Sequence, residues 1–161
     1  MFDVSLQTLH HADVTHDPIT VTDIEDGLQA ELWDRIDEFN IEATGFDDGR
    51  WLLAAQRGPD GGLEAGLAGW TWGGCGYIQY LWVREDVRGT GVGSRLLAAA
   101  EDEAKARGCA QIVVSSHSFQ APDFYVRHGY VEYGRIEGYP RGHAEVHLVK
   151  DLRPVDPGDI R

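Results

Sequence analysis

The sequence predicts one α/β domain with a mixed, mostly antiparallel central sheet flanked by helices. Three features carry that expectation. Short strand-like runs follow one another through residues 51–83, with glycine turns between them. Segments near residues 28–39 and 91–107 repeat apolar residues at helical spacing. More strand-like runs follow the second of these helices, so strands precede, flank and follow the helical segments.

In chain order, residues 1–18 hold His10, His11, His16 and Pro18 without periodicity and read as an irregular leader or edge segment. Ile19–Val21 is a β-branched run, and Thr22 with Glu25 has capping-box spacing. Leu28, Leu32, Ile36 and Phe39 then share one helical face. Glu31, Asp34, Glu38 and Glu42 lie on another, displaced by about a third of a turn, and read as a solvated stripe. Trp51–Gln56, Leu63–Trp72 and Tyr77–Val83 form an expected antiparallel meander, turned at Gly58–Gly62 and at Gly73-Gly74. In Gly91–Arg107, Val92, Leu96, Leu97, Ala100 and Ala104 make a helical stripe. Glu101/Lys105 and Glu103/Arg107 are spaced as i,i+4 pairs, and Gly108 is placed to end the helix. Gln111–Ser115 reads as a strand and Pro122–His128 as a short helix. Tyr130–Glu137 and Glu145–Val149 are two last strands around a Gly-Tyr-Pro-Arg-Gly-His loop. The domain is expected over 19–152, with a tail at 153–161.

Length and charge exclude several function classes. A chain of 161 residues suits one core. It has 27 acidic and 14 basic residues, and a net charge of -13 repels nucleic-acid phosphate. Residues 1–60 hold 14 of the acids and 3 of the bases, so the excess sits in the first part of the chain. Cys75 and Cys109 form no metal-type pair, and the histidines have no HExxH pattern, so no metal is expected. The N-terminus lacks the pattern of a signal peptide and no apolar run suits a membrane span, so the expectation is a cytoplasmic protein with no membrane partner.

The segment from Tyr80 to Ser94 carries the chemistry. Where a strand gives way to a helix, Gly89, Gly91 and Gly93 leave main-chain N–H groups uncovered beside Arg84 and Arg88. Amides at a helix N-terminus with adjacent cations make an anion site, here of a kind suited to a pyrophosphate. A P-loop is excluded because no lysine follows the glycines. A dinucleotide fingerprint is excluded because the third glycine is at 93, one position early.

Arg88-Gly-Thr-Gly91-Val-Gly93 resembles the R/Q-x-x-G-x-G/A motif of the GNAT N-acetyltransferase superfamily. Ser118-Phe-Gln-Ala-Pro-Asp-Phe-Tyr125-Val-Arg-His-Gly-Tyr130 is similar to that superfamily's N-x-x-A-x-x-x-Y-x-x-x-G-F/Y segment. The resemblance implies transfer of an acetyl group from acetyl-CoA to a primary amine. It implies that Arg88, Gly89, Thr90, Gly91, Val92, Gly93 and Ser94 hold the pyrophosphate, and that main-chain groups of Trp82 and Val83 hold the pantetheine arm. The thioester is expected where the strands at 80–83 and 111–115 splay apart. Tyr125 matches the residue that protonates the departing thiolate, and Phe124 and Ala121 would wall the arm. Ser118 stands where many members carry asparagine, so a shorter hydrogen bond, or Gln120, would have to replace that amide.

The sequence does not identify the base. His117, Glu64, the acids of the first helix and a water chain are the alternatives. Ser115, Ser116 and Ser118 near His117 form no hydrolase elbow. Trp70 and Trp72 share one sheet face, where they either pack in the core or hold an aliphatic or cationic amine. The expected acceptor is a small-molecule or peptide amine, cationic ones included. A homodimer is compatible with the sequence. A non-catalytic acetyl-CoA-binding module and an enzyme using another acyl-CoA are the alternative functions.

Overall fold

The computed structural model describes residues 19, 21 and 27–154. The leader expected over 1–18, the cap expected at Thr22 and most of the tail lie outside the described residues. The chain divides into two units, residues 1–39 and 40–161, which are described separately.

Helix α1, Leu28–Thr44, begins in the first unit. Within it Arg35 lies 3.7 Å from both Glu31 and Glu38, so part of the acidic stripe is a laced surface pair network. The helix ends where Gly45 adopts φ 74 and its N–H closes on the Ile41 carbonyl.

The second unit holds the sheet. Its strands are β1 (Arg50–Arg57), β2 (Leu63–Trp72), β3 (Cys75–Val83), β4 (Gln111–His117), β5 (Val131–Glu137) and β6 (Ala144–Asp151), in the order β1-β2-β3-β4-β6-β5. Helix α2 spans Val92–Ala106 and α3 spans Pro122–Arg127. Neighbouring strands are antiparallel except β3 and β4, whose connection through α2 makes them parallel. The predicted mixed, mostly antiparallel sheet is therefore the observed one.

The core lies on the α2 side of the sheet. Leu97, Ile112 and Leu148 are fully buried there, each contributing about 1.5–3 kcal/mol by leaving water. Leu96, Ala100 and Ala104 complete the helical stripe, and Tyr125 and Tyr130 close the far end.

One expected ion pair is not formed. Glu101 sits on the stripe that faces the sheet, where Lys105 does not reach it; Lys105 instead pairs with Asp102 at 3.3 Å. Glu101 bonds Lys150 of β6 at 2.6 Å, and the Lys150 ammonium lies 5.6 Å over the Tyr130 ring. Burial, followed by the Glu101 carboxylate, drives the Tyr130 hydroxyl far above the usual phenol range. Lys150→Met should cost about 2–4 kcal/mol in urea unfolding, because it strands a buried carboxylate. Adding Glu101→Leu should recover most of that loss, and a double variant as unstable as the single one would contradict this account.

The expected Glu103–Arg107 pair is present at 2.8 Å. Arg107 also donates to the Trp51 carbonyl at 3.0 Å and to Thr71 Oγ1 at 3.2 Å, tying the end of α2 to β1 and β2.

Candidate active site

The site begins with an irregularity in β3. Between β2 and β3 the pairing runs Ala68↔Tyr80 and then Gly69↔Ile78, so Gln79 is an extra residue without a partner. Such a bulge reverses the alternation of side chains. Ile78 is buried, and Leu81, three residues on, still packs against the same core. Gly69 permits this geometry, because a Cβ there would lie 1.9 Å from the Tyr77 carbonyl oxygen.

Beyond the bulge β3 leaves β4. The two pair only from Cys75 to Ile78 and from Gln111 to Val114, although β3 continues to Val83 and β4 to His117. The Arg84 N–H bonds the Glu64 carbonyl at 2.8 Å. By the antiparallel alternation, Trp82 and Tyr80 then also turn their main chains to β2, and Leu81 and Val83 turn theirs to the gap. Leu81 thus occupies the main-chain position the sequence reading gave to Trp82. The bulge, invisible to a period-two reading, accounts for the difference.

At the upper end of the gap the chain passes through Glu85–Val87 into the glycine turn and α2. Gly89 and Gly91 take φ 76 and 82, values that side-chain-bearing residues rarely adopt. The first backbone bond of α2 is Arg95 N–H to Gly91 O, and no described side chain caps the helix. Among the described residues, the N–H groups from Gly89 to Ser94 therefore have no protein partner. That run of donors adjoins the gap: a Cβ on Gly93 would lie 3.6 Å from both Val83 and the Phe124 ring.

The side chains around the turn divide into engaged and available groups. Thr90 Oγ1 donates to the Val87 carbonyl at 2.7 Å and so holds the turn. Arg88 Nε donates to the Val83 carbonyl at 3.1 Å, which leaves the rest of its guanidinium free at the surface. Arg84 is bound to Asp86 at 2.6 Å and to Glu64 at 3.3 Å, which neutralise it. Val92 is buried beneath the turn, so only its main chain faces outward as a donor.

Helix α3 supplies the other wall. Phe124 packs between Gly93 and Tyr125, its ring edge-on to Tyr125 at 5.2 Å. Tyr125 is 7% exposed, and burial alone pushes its hydroxyl up to about 12. Ser118 Oγ accepts the Ala144 N–H at 3.1 Å, and Gln120 Oε1 accepts the His117 N–H at 2.8 Å. Both side chains named as substitutes for the family asparagine thus fasten the loop between β4 and α3.

The opposite face of the sheet carries different groups. His117 ends β4 on that face, stacked on Phe119 at 5.3 Å, with its Nδ1 buried and without a partner among the described residues. A pocket of about 390 Å³ on the same face is lined by Leu53, Ala55, Gly66, Ala68, Tyr80 and Trp82. Trp70 and Trp72 do not line it. Trp70 stacks on Tyr77 at 4.3 Å, and the Trp72 indole donates to the Phe46 carbonyl at 3.2 Å. Tyr80 was missed in the sequence because its face depends on the bulge. Among the described residues no cluster of His, Cys, Asp and Glu is arranged to hold a metal, and no helix is long and apolar enough to cross a membrane.

Comparison with known proteins gives this geometry a setting. A family model described as acetyltransferase (GNAT) family matches residues 20–130. An acetyltransferase of Agrobacterium fabrum is 31% identical over 131 residues, covering 81% of this chain and 96% of the relative. Blasticidin-S acetyltransferase of Streptomyces morookaense is 42% identical over 99 residues, covering 59% of this chain and 71% of the relative. The crystal structure of an acetyltransferase from Bacillus cereus superposes with a TM-score of 0.71 at 30% identity, covering 83% of this chain and 97% of that one.

Proposed function

The chain belongs to the GNAT acetyltransferase family and is an acyltransferase, and from that premise we propose that it moves an acetyl group from acetyl-CoA to a small-molecule primary amine. The observation that carries the donor is the run of unpartnered N–H groups from Gly89 to Ser94, set beside a gap in the sheet. Those amides and Arg88 suit a pyrophosphate, whose charge the N-terminus of α2 favours. Leu81 and Val83 have main-chain groups in the gap that suit the amide-bearing arm as an added strand. Phe124 and Val83 close apolar surface around Gly93 beside it, where a Cβ would lie 3.6 Å from each.

The donor brings an activated thioester; the amine lone pair attacks its carbonyl carbon, the C–S bond breaks and the sulfur takes a proton. Tyr125, held neutral by burial, is the proton donor of this reading. The acceptor approaches from the face that carries Tyr80, Trp82 and His117. Their rings suit a cationic or apolar amine, and His117, at the end of β4 on that face, is the proposed group that takes the ammonium proton. Blasticidin-S acetyltransferase, by its name, acts on a small molecule, which favours an acceptor of that size over a peptide.

Release of free CoA thiol from acetyl-CoA, read against a panel of primary amines, tests the assignment, with succinyl-CoA as the competing donor. Gly91→Asp places a carboxylate among the proposed phosphate donors. It should weaken acetyl-CoA binding by about 3 kcal/mol, roughly a hundredfold in Kd. His117→Gln should slow the amine-dependent rate least at alkaline pH, where the amine is already neutral without a base, while leaving donor binding intact. Unchanged donor affinity in Gly91→Asp would remove the glycine turn from the site.

A further inference from the structure

Ser94 and His128 form a contact that the transfer reaction does not require. The His128 Nδ1 lies 2.7 Å from the Phe124 carbonyl oxygen, and its Nε2 lies 2.9 Å from Ser94 Oγ. A carbonyl only accepts, so Nδ1 carries the proton. In the neutral ring Nε2 is then an acceptor, and the Ser94 hydroxyl must donate to it. Ser94 is the third residue of α2, at the end of the run of unpartnered amides. Its hydroxyl proton is thus turned toward α3, away from the donors that line the turn.

We propose that His128 is a positioning residue that sets the direction of the Ser94 hydroxyl and makes pyrophosphate binding tighten as pH falls. This rests on the donor reading above. When the ring takes a second proton, Nδ1–H stays on the Phe124 carbonyl and Nε2 becomes a donor to Ser94 Oγ. The hydroxyl proton is released to point at an anion, and a positive charge appears one hydrogen bond from the cradle. Both changes favour a bound pyrophosphate. By linkage, a ligand that prefers the protonated ring must bind more tightly where that form is populated.

The charged groups around the ring include both signs. Asp123 and Arg127 lie on its own helix, and Arg95 follows Ser94 on α2 with its guanidinium on Thr90 O and Gln56. Glu101, two turns along the Ser94 face of α2, is neutralised by Lys150 of β6, whose chain packs by Gly129. Among the described residues no carboxylate bonds either ring nitrogen, and the ring's partners are the carbonyl and the hydroxyl.

Calorimetric titration with dephospho-CoA tests the proposal, because that probe keeps the pyrophosphate and lacks the phosphate monoester that itself titrates near pH 6. The wild-type protein should bind it about fivefold more tightly at pH 5.5 than at pH 8. His128→Gln, with an uncharged side-chain amide, should show no such gain, and Ser94→Ala should show a reduced one. A wild-type Kd independent of pH, or an equal gain in His128→Gln, overturns the proposal. Should His128→Gln fail to fold, an undiminished gain in Ser94→Ala overturns the hydroxyl's part. No binding of dephospho-CoA to the wild type at any pH overturns the donor reading itself, and this inference with it.

Discussion

Gly69→Ala should cost at least about 4 kcal/mol of folding stability, a loss few single substitutions reach. The added methyl would lie 1.9 Å from the Tyr77 carbonyl oxygen and 3.0 Å from its carbonyl carbon. Both atoms belong to the main chain, so no side-chain rotation relieves the contact. Relief requires β2 and β3 to separate at the point where Gln79 is left over. The bulge would then be lost or moved, and Leu81 and Val83 would lose their place against the core and in the gap. Urea unfolding measures the first effect and acetyl-CoA titration the second. Gly66→Ala is the matched control in the same strand: its methyl meets nothing closer than 3.6 Å and should cost under about 1 kcal/mol. Equal costs for the two variants would remove the close approach as the cause of the bulge.

Tyr125→Phe should lower kcat about a hundredfold and leave the Kd for acetyl-CoA within about twofold. The ring, which packs against Phe124 and Tyr130, is retained, and only the hydroxyl is removed. Because burial holds that hydroxyl at about 12, it stays protonated through the range in which amines lose their ammonium proton. The wild-type rate should therefore rise with pH and level off, with no falling limb below about pH 11. Stability should respond in the opposite sense. In the unfolded chain the phenol ionises near 10, while in the folded one it holds its proton to about 12. The unfolded state then binds fewer protons, and stability falls as pH rises from about 10 to 12. Tyr125→Phe should make that fall shallower. A variant with wild-type turnover would remove Tyr125 as the proton donor.

Much of the fold was legible because its elements carry strong local signals. β2 has the predicted bounds, Leu63–Trp72, since glycine turns close both ends. α2 is read from its apolar stripe and from the positive φ that Gly91 and Gly108 supply. The parallel pairing of β3 and β4 follows from the helix between them. Four features were not legible, each set by contacts distant in sequence. Glu101 and Lys150 meet across α2 and β6, which no i,i+4 rule reaches. The bulge at Gln79 depends on a glycine in the neighbouring strand, and it moves both Leu81 and Tyr80 to faces that alternation denies them. Ser118 Oγ accepts the Ala144 N–H, a partner 26 positions away that its place in the motif does not reveal. His128 stood within the same quoted motif, but only folding brings it to Ser94, 34 positions earlier.

The parting of β3 and β4 also changes what kind of object the sheet is. An ordinary sheet has edges only at its outermost strands, and natural proteins guard those against pairing with other chains. Here a second pair of edges lies inside, along Leu81–Val83 and along the end of β4. Arg88 covers one exposed carbonyl, at Val83, and Gln120 covers the main chain of His117. The remaining groups are the ones proposed above to take the donor's arm. On that proposal, ligand recognition and the hazard of unwanted strand addition reside in one stretch of backbone, and a molecule saturated with its donor is also one whose inner edges are closed.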